Sequence, residues 1–223
     1  MTKKFGKEYF DEKYKETDGL LWGREPSKII VNSEKLFKRK SKILDLGCGE
    51  GKDALFLAKK GHKITAIDIS ESAINKLNEM VKEEKLKIKT EVIDLLDYKI
   101  KEDYDVIIAL ASIHFISKKK NLYNLIKKIK SKTKKKGYNI IAVFRKGDSS
   151  QKEFNMYYFD NGELLKLYFD WKIIKYVEFL KKDKHGEKGK VHDHKNANLI
   201  TQKIKAKLEK KKKKKNKIIK RVL

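Results

Sequence analysis

The chain has one cysteine, one proline and four arginines among 223 residues. A single cysteine, Cys48, cannot close an internal disulfide or build a multi-cysteine zinc site. Pro26 stands alone and no Gly/Ser-rich stretch interrupts the chain, so nothing marks a linker between two domains. No apolar run approaches the roughly 20 residues of a membrane-spanning helix. The opening segment MTKKFGKEYFDEKYKETDG is too charged to hold the apolar stretch of a secretory signal. These absences predict a cytoplasmic protein with no membrane partner. At 39% hydrophobic residues the length supplies one ordinary core.

Charge of one sign is what the chain has in excess, with a net +26 from 57 basic and 31 acidic residues. Clustered cations release counterions from a phosphate backbone and so invite a nucleic-acid reading. Two features weaken it. Residues 203–223 hold 12 basic residues and one acid, around the run EKKKKKKNK, so much of the charge sits in a tail. Arginine, the side chain suited to bidentate phosphate and guanine contacts, occurs only at positions 24, 39, 145 and 221. Compositional bias and solvated faces account for the lysines more simply, and nucleic acid is the less favoured partner.

Short apolar runs alternate with longer periodic segments, the pattern of βα units around a parallel sheet. Strands are predicted at 42–46, 63–68, 88–93, 104–110 and 138–144. Helices are predicted at 53–60, at 72–82 with Ser70 as a cap and Ile74, Leu77, Asn78 and Val81 on one face, and at 121–135 with Leu122, Leu125, Ile126 and Ile129 on one face. Gly61 and Gly137 stand where two of these helices should stop. After Phe144 the rhythm changes to an aromatic stretch at 154–159, a short helix at 162–169, and strands at 172–179 and 196–204 joined by a polar loop at 181–195. Two late strands with no helix between them suit an antiparallel hairpin. The predicted fold is a three-layer α/β/α sandwich around a mostly parallel, seven-stranded, Rossmann-like sheet that ends in that hairpin. It is assigned to residues 1–204, with a lid at 1–35 and a lysine-rich tail at 205–223.

The most informative segment is Ile43–Lys52, ILDLGCGEGK. Alternating Gly47, Gly49 and Gly51 follow a buried strand, where backbone must turn sharply and a ligand must come close. The C-terminal edge of such a strand is where open α/β sheets bind ligands. A dinucleotide fingerprint G-x-G-x-x-G counted from Gly47 puts its third small residue at Lys52, and a phosphate-binding P-loop needs a longer spacing and Ser or Thr after Lys52; neither fits. What remains is an acid two positions before a G-x-G-x-G loop, with Asp68 ending the second strand (ITAIDIS) and Asp94 following the third (VIDLLDY).

This pattern resembles the nucleotide loop of class I S-adenosylmethionine-dependent methyltransferases. The flanks YFDEKYKETDGLLWGREPS, GKDALFLAKKGHKITAIDIS and GELLKLYFDWKIIKY are similar to the tellurite-resistance-type group of small-molecule methyltransferases, over roughly residues 8–204. The resemblance implies S-adenosyl-L-methionine as cofactor and S-adenosyl-L-homocysteine as product. It implies that Asp68 accepts hydrogen bonds from both ribose hydroxyls, that Asp94 caps the adenine amino group with Leu95 on the ring, and that Asp45 faces the methionine amino end. Trp22, Arg24, Gly47, Cys48, Gly49, Gly51, Ile69 and Leu110 complete the implied cofactor side. Arg24 would pair with the methionine carboxylate, and Tyr9, Phe10, Tyr14 and Trp22 offer aromatic faces to a sulfonium. Three acids at the ends of successive strands suit a cationic sulfonium better than a phosphate. The chain departs from the group in three places: KKKGYNII replaces a Pro-Gly-Gly turn, the 181–195 loop is longer, and the lysine tail is extra.

The expected acceptor is a small nucleophile, a thiol or an oxyanion. In-line methyl transfer needs alignment and exclusion of water more than side-chain chemistry. Where the acceptor must lose a proton, His114 beyond the fourth strand and His192 are the candidate bases. His194 would share a face with His192 if the segment is extended, and metal binding there is not expected. Amino-methylating nucleic-acid enzymes often carry a Pro-Pro motif where this chain reads LASIH. An RNA-modifying enzyme and a non-catalytic cofactor binder are the alternatives.

Overall fold

The computed structural model describes residues 6–183 and 192–204. Seven strands form one sheet: β1 (Lys42–Leu46), β2 (Lys63–Asp68), β3 (Ile88–Val92), β4 (Tyr104–Leu110), β5 (Thr133–Phe144), β6 (Lys172–Asp183) and β7 (His192–Gln202), in the order β3-β2-β1-β4-β5-β7-β6. β1 to β5 run parallel, and β7 lies antiparallel between β5 and β6. Helices α1 (Lys7–Glu16), α2 (Lys28–Glu34), α3 (Lys52–Lys59), α4 (Glu71–Glu83), α5 (Lys119–Ser131) and α6 (Glu163–Leu167) complete the described chain. The chain winds outward from β1 through β2 to β3, then returns to place β4 on the other side of β1. That reversal opens a crevice at the strand ends between β1 and β4.

The central parallel strands β1 and β4 and the C-terminal part of β5 are apolar on both faces, because helices cover both. In β4, Val106 and Ile108 point to one side and Ile107 and Ala109 to the other; in β5, Ile140 faces opposite to Ile141 and Val143. One core gathers Ile30 of α2, Leu55 and Leu57 of α3, and Ile74, Leu77 and Met80 of α4 against Ile43, Ile64 and Ile108. The other gathers Leu122, Leu125, Ile126 and Ile129 of α5 with Phe159, Tyr168 and Trp171 against Leu44, Ile107 and Ile141. The three-layer sandwich predicted from the pattern is therefore the observed architecture.

Four local expectations need correction. On α4 the buried positions are Ala73, Ile74, Leu77 and Met80, while Asn78 is exposed and accepts a hydrogen bond from Thr90 (2.8 Å). Helix α5 stops at Ser131, and β5 begins at Thr133 rather than at Tyr138. Gly137 is consequently a strand residue whose backbone runs close to β4, where a Cβ would sit 2.6 Å from the Asp105 carbonyl oxygen. Both ends of the polar segment 181–195 belong to the ladder, with Lys181 paired to His194 and Asp183 to His192, and residues 184–191 lie outside the described residues. Antiparallel pairing satisfies backbone groups whatever the side chains, so lysine content alone does not mark a loop. The predicted tail 205–223 lies outside the described residues. No helix among the described residues is long and apolar enough to cross a membrane.

Candidate functional site

The loop after β1 is held by its own backbone. The Gly47 and Cys48 amides both donate to the Ile67 carbonyl (2.8 and 3.0 Å), which ties the loop to the end of β2. Gly47 sits at φ 73°, and a Cβ there would lie 2.3 Å from Ser112 Cβ at the end of β4. The neighbouring segment is just as tight: Ser112 donates its hydroxyl to the Leu46 carbonyl at 2.6 Å. Gly49, at φ 54°, leaves room for the Tyr14 hydroxyl from α1, which a Cβ would meet at 2.7 Å. Glycine is needed here because two separate elements close onto the loop.

Asp68 fixes the other side of the crevice. One carboxylate oxygen accepts the Gly49 amide (2.8 Å) and the other the Ser70 amide (3.0 Å). Ser70 also caps α4, accepting the Ala73 amide at 3.1 Å. Burial raises the Asp68 carboxyl above its ordinary range, partly offset by these bonds. Each carboxylate oxygen carries two lone pairs, so two acceptor positions remain for a ligand. Asp94 follows β3 and turns the chain by accepting the Leu96 amide (2.7 Å).

These residues enclose a cavity of about 360 Å³ at the switch point. Its floor holds Gly47, Asp68, Ile69, Asp94 and Leu95, its roof Phe10 and Tyr14 of α1, and its far wall Ala111, Ser112, Phe115, Ile116 and the start of α5. Ala111 has φ 51°, an uncommon conformation for a residue with a side chain, and it turns the chain sharply out of β4 into this wall. Sequence spacing did not single out Ala111, Ser112, Phe115, Lys118 or Asn121. The available signal was positional, since they follow the strand beside the switch point.

Of the residues expected on the cofactor side, Gly47, Asp68, Ile69, Asp94 and Leu95 are brought together in this wall. Gly49 and Gly51 shape the loop behind it, with Gly51 as the left-handed residue before α3. Asp45 is buried below the loop, its carboxyl pushed well up by burial and then by Asp53 and Asp68. Cys48 gives its thiol to the Gly49 carbonyl (3.4 Å), and desolvation pushes that thiol well up. Leu110 ends β4 and packs against the core. Trp22 and Arg24 are exposed and outside the wall, although Trp22 donates its indole N–H to the Tyr14 hydroxyl (3.2 Å).

Of the two candidate bases, His114 alone has a described side chain. His114 is fully buried beneath the cavity wall, and among the described residues neither ring nitrogen has a hydrogen-bond partner. Its ring stacks on Phe144 (centroids 4.5 Å apart), which stacks in turn on His194 (4.5 Å). Burial drives the His114 pKa down to about 3, with Asp148 opposing and His194 reinforcing the shift. His194 is not a solvent-facing loop residue: it is buried, and its Nδ1 lies 3.1 Å from an Asp148 carboxylate oxygen. His192 opens β7, and its side chain lies outside the described residues. Among the described residues no three His, Cys, Asp or Glu side chains converge as metal ligands.

The family model described as tellurite resistance protein TehB matches residues 3–204. A probable S-adenosyl-L-methionine-dependent methyltransferase TehB of Haemophilus influenzae is 31% identical over 206 residues, covering 92% of this chain and 66% of that protein. The chain thus spans just under two thirds of that relative's length. The crystal structure of TehB from Haemophilus influenzae superposes with a TM-score of 0.72 at 29% identity, covering 88% of this chain and 66% of that one. The N-methyltransferase NodS from Bradyrhizobium japonicum, in complex with S-adenosyl-L-homocysteine, shares the fold with a TM-score of 0.69 at 14% identity over 89% of this chain and 98% of that one.

Proposed function

Because the chain belongs to the tellurite resistance protein TehB family, we infer that it is an S-adenosylmethionine-dependent methyltransferase acting on a small nucleophile. The observation that carries the reading is the convergence of the Gly47 loop, Asp68 and Asp94 on one cavity under an aromatic roof. The residues fit the cofactor on charge as well as shape. Asp45, Asp53 and Asp68 are buried carboxylates near one another, and burial raises all three. Asp53 is committed to the Ser27 amide and hydroxyl (2.6 and 2.8 Å). Asp68 and Asp94 are the acids of the floor, with Asp45 buried beneath the loop, and a cation bound there would relieve the buried Asp68 carboxylate.

In this reading Asp68 holds the ribose hydroxyls, Asp94 the adenine amino group, and Asp45 the ammonium end. When bound, the cofactor supplies an electrophilic methyl group on a sulfonium sulfur. The chain's own contribution is alignment and dryness. Phe10, Tyr14, Phe115 and Ile116 surround the remaining space with apolar surface and exclude water.

The wall also constrains the acceptor. Its ionisable groups are Tyr14, Asp68, Asp94 and Lys118. The Tyr14 hydroxyl resists ionisation because burial, and then Asp68, push its pKa up. The two acids are engaged on the cofactor side. An acceptor that arrives as an anion, a thiolate or an oxyanion, needs no base from this wall, and Lys118 at the rim favours its approach. An RNA acceptor draws less support, since Lys118 is the one cation in the wall among the described residues.

Methyl-labelled cofactor with separate panels of thiols, inorganic oxyanions and total RNA tests this. Label is expected in a thiol or an oxyanion product with matching S-adenosylhomocysteine release. Transfer to RNA alone, or none to any panel, would contradict it.

A further inference from the structure

The roof of the cavity is tied down by a lysine that the proposed chemistry does not use. Lys76 lies mid-way along α4, and its ammonium donates to the Tyr14 (2.6 Å), Thr17 (2.9 Å) and Gly19 (2.8 Å) carbonyls and to Glu50 (3.3 Å). The three carbonyls belong to the last turn and exit of α1, where oxygens lack partners within the helix and carry its negative dipole end. Glu50 belongs to the glycine loop and is 4% exposed, and among the described residues its second carboxylate oxygen has no partner. One ammonium therefore joins three pieces of the site: the roof helix, the loop after β1, and the helix that follows Asp68.

A second tie works from the opposite direction. Asp11, on α1, accepts the Ser70 hydroxyl (2.9 Å) and the Ser72 amide (2.8 Å) at the start of α4. The charges are complementary at both ends, with the α1 carboxylate at the α4 N-terminus and the α4 ammonium at the α1 C-terminus. The same helix carries Phe10, beside the Asp11 tie, and Tyr14, held by Lys76, the two rings that roof the cavity. The geometry suits lysine specifically, because a compact ammonium with three donors can serve several oxygens converging on one point and a planar guanidinium cannot.

We propose that Lys76, seconded by Asp11, is a positioning residue that holds α1 closed over the cofactor and couples that closure to the glycine loop through Glu50. The inference rests on the cavity being the S-adenosylmethionine site. Opening the roof then requires the Lys76 bonds to break, which makes the latch a determinant of how fast the product S-adenosylhomocysteine leaves.

Hydrogen exchange on the full chain without ligand, together with S-adenosylhomocysteine dissociation rates, tests this on wild type, Lys76→Met, Lys76→Arg and Asp11→Ala. For Lys76→Met, amide exchange in residues 7–16 is expected to rise about tenfold or more while β1, β4 and β5 keep wild-type protection. Product dissociation should quicken by a similar factor, with Lys76→Arg recovering only part of either change. Asp11→Ala should loosen the same helix to a smaller extent. Wild-type exchange across residues 7–16 in Lys76→Met would overturn the proposal. So would faster exchange spread evenly over the sheet in Lys76→Met with α1 unchanged in Asp11→Ala. If wild type does not bind S-adenosylhomocysteine, the cofactor reading fails, while the exchange measurements still decide whether Lys76 holds α1.

Discussion

The two sides of the switch point are built by different means. On the β1–β3 side, the acids and the glycine loop are fixed through backbone amides and carbonyls at the strand ends. Asp68 reaches Ser70 two residues on, Ser70 caps its own helix, and the glycine loop hangs from the adjacent strand. On the β4–β7 side, the supports are long-range side-chain pairs. Asp148 meets His194 across 46 positions of sequence, and Phe144 lies between two histidine rings from different segments. The first side presents carboxylates and backbone toward a ligand; the second is a buried column that braces the wall from behind. In the proposed reading the acids that hold the cofactor and the column that braces the wall lie on different halves, and substitutions should separate them.

The largest effect is expected from Asp148→Ala. Its carboxylate accepts the Ser150 amide (3.0 Å) and the Lys195 amide (2.7 Å) and faces the His194 ring. It is 3% exposed. Removing it leaves these groups without their acceptor, at a cost of about 1 to 3 kcal/mol each. Urea unfolding should show that loss, while cofactor affinity measured below the new transition changes less than about threefold. A large affinity loss without destabilisation would mean the column contacts ligand after all.

Gly47→Val should do the reverse. The added side chain collides with Ser112 and must adopt a positive φ, which displaces the wall at the cofactor. Affinity is expected to fall at least about 100-fold, roughly 3 kcal/mol, by calorimetry. Binding within tenfold of wild type would show that the loop does not approach a ligand closely.

His114 sharpens the contrast through pH. Its folded pKa of about 3 lies below the ordinary 6.5. The unfolded chain therefore takes up a proton first as pH falls, and stability is lost from about pH 6.5 down to about 3. The loss amounts to about 1.4 kcal/mol per pH unit, so about 2 kcal/mol by pH 5. His114→Phe, which keeps a ring in the stack, should flatten that part of the stability profile. An unchanged slope would mean the ring is protonated or solvated in the folded protein.

The smallest effect is expected from Asp94→Ala. One ligand contact at a partly exposed site is worth about 1.4 kcal/mol, a tenfold loss of affinity without a change in melting temperature. A shift in melting temperature with affinity intact would make Asp94 a turn residue only.

This division also explains what could be read in the sequence. The loop Gly47–Gly51, the caps at Ser70 and Gly61, and the acids at the ends of β2 and β3 act over short spans, so spacing exposes them. The roof aromatics Phe10 and Tyr14 were visible as residue types, although Tyr9 and Trp22 looked equally suitable. The partners of His114 and His194 were not visible, because stacking on Phe144 and pairing with Asp148 depend on how β5 and β7 register. A histidine after a strand looks the same in sequence whether it faces a ligand or is sealed beneath the wall. The ladder at 181–183 and 192–195 was hidden for a similar reason: strands tolerate lysine, so composition there resembles a loop.

The most direct test is titration calorimetry of S-adenosylhomocysteine into wild type and Asp68→Ala. Wild type is expected to bind one equivalent. Asp68→Ala should remain folded and bind about 100-fold more weakly or not at all, since charge-assisted bonds contribute about 1.5 to 3 kcal/mol each. No binding to wild type, or equal binding to both proteins, would contradict a cofactor site at the Gly47 loop.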